Sequence, residues 1–342
     1  MAESIGLAII GLGVIGRRML DQIAHRADFR LIGAWDVDAG ACERARVDFA
    51  HARIAASAEA AIADPRTQVV YVGTPPSHHR HYALMAARHG KKVFCEKPLA
   101  VDLSEGRRLV DELARSATPN AVNFVYASAP ATQALADRMA AGAIGRPLGV
   151  DVKLFFARWP RDWQANAQWL RYRAQGGFTR EVLSHFVYLM IRLFGECAPR
   201  QAVVEFPPGD DLCERASLAR FDCAGVPAIS MASAGGSGPD EIVFTVRGER
   251  GALRLENWYE LSESDGQRWR TVELPCAPHP DVRTASYQAQ LDSLARFARG
   301  EPHPLPDALL ALRVQESIEC VLHGDASQPA SAAAPRQNPV PE

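Results

Sequence analysis

Residues 5–16 read I-G-L-A-I-I-G-L-G-V-I-G. The apolar run over residues 5–10 is short and stopped by glycine, which fits a strand buried on both faces of a parallel sheet. Beyond it Met19, Leu20, Ile23 and Ala24 recur at helical spacing, so Gly11, Gly13 and Gly16 lie between a strand and a helix. Gly11 permits the tight turn, Gly13 lets the backbone approach a pyrophosphate, and Gly16 lets the helix pack on the strand. Val14 and Ile15 open the helix, whose N–H groups then face the phosphates. A second strand over residues 31–35 ends in Asp36, 20 residues after Gly16 (36 − 16), where a carboxylate bonds the adenosine ribose. An acid there accepts from the 2′-hydroxyl and repels a 2′-phosphate, which favours NAD over NADP. The plainer reading is that Asp36 caps a helix starting near Gly40.

The pattern continues. A buried strand over residues 69–72 precedes T-P-P-S-H-H (Thr74 to His79), where Thr74, Pro75 and His79 are placed to meet the cofactor, and a helix follows over 79–89. His78, His79 and His81 lack nearby cysteine or acidic ligands, so they read as helix-start histidines and no metal is expected. The next strand opens K-V-F-C-E-K-P-L-A at Lys92. Ligands bind outside the carboxyl ends of the strands in open α/β sheets, so Glu96 and Lys97 leave the sheet where the cofactor sits. Pro98 biases Lys97 towards an extended exit. A helix over 102–116 and a strand over 121–125 complete an alternation that argues for a doubly wound parallel sheet over residues 1–125.

The chain has 342 residues, 47% of them apolar, enough for two domains. A formal charge of −2 leaves no basic excess for nucleic acid, and no run approaches a membrane span. Seven cysteines, none closer than ten residues to another, suggest reduced thiols instead of a disulfide or zinc framework. The opening M-A-E-S has no basic region before its apolar run, so a cytoplasmic enzyme is expected.

With G-L-G-V-I-G, Asp36, T-P-P-S-H-H and C-E-K-P-L-A in that order, the chain resembles the glucose-fructose oxidoreductase, inositol dehydrogenase and MocA family. The family's T-P-N loop with its later histidine falls on Thr74, Pro75, Pro76 and His79, with Pro76 in place of asparagine. Its E-K-P falls on Glu96, Lys97 and Pro98. The resemblance implies a dinucleotide-binding domain and a second domain with a large, mostly antiparallel sheet, whose exposed face commonly makes a dimer interface. It also implies hydride transfer between a nicotinamide and a carbinol carbon of a sugar, polyol or related compound. A homodimer or homotetramer through that sheet is therefore expected.

The second half, residues 126–323, is strand-rich over 149–157, 202–206, 216–221, 229–232, 242–247 and 252–255. Its exception, residues 176–194, carries Val182, Phe186, Met190 and Leu193 as a helical stripe. Glu181 and His185 lie four apart on one helical face, and match a family aspartate and histidine of that spacing with glutamate for aspartate. Before this helix, Arg158, Arg161, Arg171 and Arg173 flank three tryptophans between 159 and 169. Indole faces stack on sugar or aromatic rings and guanidinium forks pair with acids, so the loop suits an acidic substrate, dimer packing or a closing flap. N-F-V-Y-A-S places Asn123 and Tyr126 near the site, but Val125 and Ala127 stand where the family often has asparagine and arginine. The candidate substrate contacts are Lys97, Asn123, Tyr126, Arg158, Trp163, Arg180 and His185. Helices over 285–299 and 307–322 close the fold, and residues 324–342 read as a disordered tail.

The leading expectation is an NAD-dependent dehydrogenase. His185 takes the proton, Glu181 orients it and favours its charged form, and Lys97 stabilises alkoxide charge, with lysine as base the competing assignment. The alternatives are a non-catalytic nucleotide-binding sensor, and an enzyme that keeps and recycles its NAD.

Overall fold

A computed structural model describes residues 4–208, 211–274 and 282–324. Of the expected tail only Gly324 is among them, and Cys276 lies outside. In the first half β1 (Ile5–Ile10), β2 (Phe29–Trp35), β3 (Val69–Val72), β4 (Lys92–Glu96) and β5 (Asn120–Asn123) form one sheet in the order β2-β1-β3-β4-β5. Every pair is parallel. β1 and β3 are buried at every residue, because helices cover both faces of a parallel sheet. Those helices are α1 (Val14–Ile23), α2 (Ala39–Asp48), α3 (Ala58–Ala63), α4 (His79–Arg88) and α5 (Leu103–Arg115). The strand order reverses between β1 and β3, so the crevice at their carboxyl ends is bounded by Gly11 and Thr74.

The second sheet has eight strands: β6 (Pro147–Phe156), β7 (Ala198–Glu205), β8 (Ala216–Cys223), β9 (Val226–Ala234), β10 (Glu241–Gly248), β11 (Ala252–Glu256), β12 (Glu260–Ser264) and β13 (Trp269–Thr271). Their order is β13-β12-β11-β10-β6-β9-β8-β7, antiparallel except for β6 against β9. Alternation sorts the side chains. Val150, Val152, Leu154 and Phe156 of β6 turn inward with Phe221 and Phe244, where Phe244 stacks on Phe186 at 5.9 Å. The opposite face leaves Val203, Leu218, Ile229 and Met231 exposed, with Leu218 paired to both Val203 and Met231.

The expected single helix over 176–194 is two pieces. A π-turn over Thr179–Leu183 leads into α7 (Ser184–Phe194), which is buried all round from Ser184 to Ile191 instead of along one stripe. Two further helices, α8 (Val282–Arg299) and α9 (Ala308–His323), return to the first sheet. Arg26 pairs with Asp292 at 2.7 Å, and the Asn120 Oδ1 accepts from the Ala308 N–H at 2.8 Å. α9 also faces β7 and α7, so it ties the two sheets together. α6 (Pro130–Ala140) packs against β11 and β12 of the second sheet. No helix among the described residues is long and apolar enough to cross a membrane.

Candidate active site

The glycine loop is built as its spacing requires. Gly11 adopts φ +99°, and a Cβ there would lie 2.6 Å from the Gly73 backbone; one on Gly16 would lie 1.9 Å from the Gly11 carbonyl. Gly13 differs, because a Cβ on it would meet nothing within 4 Å. It stands at the start of α1 with no side-chain cap, so the N–H groups of the first turn face open space. Across the crevice the Thr74 hydroxyl is buried without a partner. An uncapped helix start facing an orphaned hydroxyl fits a dinucleotide's phosphates, and Gly13, Val14, Ile15 and Thr74 would hold them. The α2 cap is Asp38, which accepts from the Gly40 N–H at 2.8 Å, so Asp36 is not the helix cap. Asp36 instead accepts from the Leu12 N–H at 2.6 Å and the Asp38 N–H at 2.8 Å, which fixes its carboxylate beside the glycine loop.

His79 and Glu96 are both engaged by hydrogen bonds within the protein. His79 is fully buried with its ring nitrogens 2.8 Å from the Thr74 and Pro98 carbonyls, and so clamps the two loops to each other. Burial pulls its pKa down to about 4 against the help of those carbonyls, so the ring is neutral and donates to one of them at a time. The unfolded chain then binds the extra proton first. This stabilisation is complete above pH 6.5 and is lost as pH falls towards 4, about 3 kcal/mol in all. Urea unfolding between pH 7 and pH 4 should show that loss in the wild type and not in His79→Gln. The Glu96 carboxylate accepts from the Tyr71 hydroxyl at 2.5 Å and the Asn123 amide at 2.6 Å, and burial raises its pKa.

Lys97 follows β4 and reaches the π-turn. Its ammonium donates to the Glu181 carbonyl at 2.8 Å and to the Glu181 carboxylate, and its side chain is only 6% exposed. The other Glu181 oxygen accepts from the Gln164 amide at 3.1 Å. Glu181 therefore holds the lysine and not His185, which corrects the expected pair. The π-turn is the reason: its wider winding breaks the four-residue stacking that puts positions 181 and 185 on one face. The turn begins where Glu214, from outside the helix, accepts from the Thr179 N–H at 2.6 Å.

His185 lies in an aromatic box. Trp258, Phe124 and Tyr126 surround it edge-on with centroids at 5.7, 5.8 and 6.2 Å. Burial first, then the charges of Lys97 and Arg161, push its pKa well below the ordinary value. The expectation of a favoured charged form is thus reversed, and the neutral ring has a buried Nδ1 without a partner. Tyr126 is fully buried as a wall of the box and its hydroxyl also lacks a partner. Trp258 reaches the box from the β11–β12 hairpin, where Asn257 and Trp258 adopt φ of +48° and +75°. Left-handed backbone at such residues costs about 1 kcal/mol each. The sequence reading missed Trp258 and Gln164, and the only signal was a bulky residue where a hairpin turn prefers glycine.

Four other expected substrate contacts are occupied or turned outward. Asn123 uses its amide on Glu96 and its carbonyl oxygen on the Gln290 amide. Arg180 is buried against Glu319 through two bonds of 2.6 and 2.7 Å. Arg158 is exposed and lies 3.9 Å from Asp162. Trp163 is half-exposed, packed between Arg161 at 4.8 Å and Arg18 at 5.3 Å. Among the described residues no group of His, Cys, Asp and Glu could hold a metal ion.

A parallel dinucleotide-type sheet joined to a mixed sheet, with a lysine and a histidine between them, defines a nucleotide-dependent oxidoreductase architecture. The chain belongs to the GFO/IDH/MocA family: the model for an oxidoreductase family with an NAD-binding Rossmann fold matches residues 5–124, and that for the GFO/IDH/MocA C-terminal domain matches 132–254. It is 38% identical over 96 residues to a 1,5-anhydro-D-fructose reductase of Ensifer adhaerens, covering 28% of this chain and 29% of the relative. It is 33% identical over 150 residues to an inositol 2-dehydrogenase of Acidothermus cellulolyticus, covering 43% of each. The matched stretch thus spans less than half of these relatives. An oxidoreductase from Agrobacterium radiobacter, solved with NAD+, L-tartaric acid and magnesium, shares the fold with a TM-score of 0.81 at 19% identity, covering 95% of this chain and 97% of that one.

Proposed function

We propose that the protein is an NAD-dependent dehydrogenase that moves a hydride between the nicotinamide and a carbinol or carbonyl carbon of a sugar, polyol or sugar acid. The observation that carries this reading is that Lys97, held by Glu181 at the end of β4, lies within electrostatic reach of His185, whose buried Nδ1 has no hydrogen-bond partner. Bound NAD would supply the hydride acceptor. Lys97 donates to the reacting oxygen and stabilises negative charge there. The neutral His185 accepts the hydroxyl proton. Glu181 and Gln164 fix the ammonium in place. The carbohydrate relatives support the substrate class. Asp36 beside the glycine loop supports NAD over NADP, since a 2′-phosphate would meet its charge.

The experiment is to titrate the protein with NADH and NADPH, then follow absorbance of NADH with sugars, polyols and sugar acids. Tighter NADH binding and turnover of one compound are expected. Binding without any turnover returns the protein to the sensor reading.

We also propose assembly into a homodimer or homotetramer through the outer face of the second sheet. Val203, Leu218, Met231 and Ile229 are contiguous across β7, β8 and β9, and an apolar patch of this kind marks an association surface. Met231→Glu should lower the sedimentation coefficient to that of a single chain, with the circular dichroism spectrum unchanged. A coefficient unaffected by the substitution removes this face from the assembly.

A further inference from the structure

We propose that Arg161 binds a carboxylate of the substrate, so that the substrate is a hydroxy or keto acid presenting an apolar or ring face. This rests on the dehydrogenase reading and names its substrate class. Arg161 starts the 3-10 turn Asp162–Gln164, and its guanidinium is walled by Trp163, Phe156, Trp159 and Trp258 at 4.8, 5.5, 5.7 and 5.9 Å. Among the described residues its side chain donates only from Nε, to the neutral Gln164 amide oxygen at 3.0 Å, and it forms no ion pair. Two other inward guanidiniums do have acids: Arg180 has Glu319, and Arg26 has Asp28.

A cation drawn out of water requires an opposite charge or a strong substitute, and indole faces supply that only in part. The acids within electrostatic reach are Glu181 and Asp240, and Arg18 and Arg283 add like charge. Glu181 is bound to Lys97 and Gln164, and Asp240 accepts from the Ala157 N–H at 3.0 Å. The remaining Nη groups form a planar fork whose two donors match the two oxygens of a carboxylate.

The position is the right one for substrate. Gln164 bonds both Arg161 and Glu181, and Trp258 walls both Arg161 and His185, so an acid on the fork lies beside the proposed catalytic pair. The flat indole walls favour an apolar or ring portion next to the acid.

The test uses benzoate and benzamide, which share a ring and differ in charge, with phenyl phosphate as a third probe. Each is titrated into the full chain saturated with NADH, following tryptophan fluorescence, with NADH binding recorded in the same sample. Benzoate should bind at least about tenfold more tightly than benzamide, as a charge-assisted hydrogen bond to a carboxylate requires. Arg161→Gln should erase that difference while NADH binding persists, and Arg161→Lys, which keeps the charge but loses the fork, should retain only part of it. Equal affinity for benzoate and benzamide, including no binding of either, overturns the proposal. So does preference for phenyl phosphate over benzoate, or full discrimination surviving in Arg161→Gln. Failure to bind NADH at all would instead strike the dehydrogenase reading.

Discussion

Lys97→Ala is expected to lower turnover by about 10²- to 10⁴-fold, the usual contribution of a positioned proton-handling group, with NADH affinity little changed. The ammonium bonds Glu181 twice, and one of those acceptors is the backbone of the π-turn, so its position is set by the second half of the chain. The proposed phosphate cradle at Gly13 and Thr74 does not share those bonds, which is why binding and turnover should separate. The pH profile adds a second readout. Lys97 is one of two cations that depress His185, so removing it raises the histidine's pKa and moves the acidic limb of kcat/KM to higher pH. Lys97→Met, which keeps the aliphatic bulk, should behave alike and guards against loss of folding. Near-normal turnover in both variants would remove Lys97 from the chemistry. Glu181→Gln tests the holder separately: it keeps a carbonyl acceptor without charge, so it should lower turnover less than Lys97→Ala does.

The first half was legible because its signals are local. Glycine spacing, buried apolar runs and the acid closing β2 each sit within a few residues of the turn they determine, and the sheet follows from their alternation. The second sheet was legible as strands, yet β12 and β13 escaped, since E-L-S-E-S and W-R-T carry too few apolar residues to signal alternation. The site was legible in its members and not in its pairing. Lys97, Glu181 and His185 were identified by motif, but helical geometry joined Glu181 to His185, whereas a π-turn turns it to Lys97. The sequence has no sign of that turn, because the Glu214 carboxylate that meets its start is 35 residues from Thr179 along the chain. The same gap explains His79. Its neighbours in sequence suggest a cofactor contact, while the Pro98 carbonyl that captures it lies 19 residues on.

Arg180→Ala is expected to destabilise the fold by about 3–5 kcal/mol, the cost of leaving a buried charge without its partner. The guanidinium and the Glu319 carboxylate meet in a two-bond fork, with side chains only 11% and 8% exposed. Arg180 also donates to the Arg173 carbonyl at 2.6 Å and the Gly176 carbonyl at 3.1 Å, so it fastens the approach to the π-turn onto α9. Glu319→Ala should cost a similar amount, because it strands the guanidinium. Replacing both, as Arg180→Met with Glu319→Leu, should recover much of the loss, since an apolar pair of similar volume removes both unpaired charges. Denaturant unfolding of the three variants measures the cycle. A substrate-contacting Arg180 would behave differently, raising KM while leaving unfolding unchanged, and that result would restore it to the binding site. The structural role predicts the reverse for the folded variant: lower stability first, with catalysis reduced only so far as the loosened π-turn lets Glu181 withdraw from Lys97.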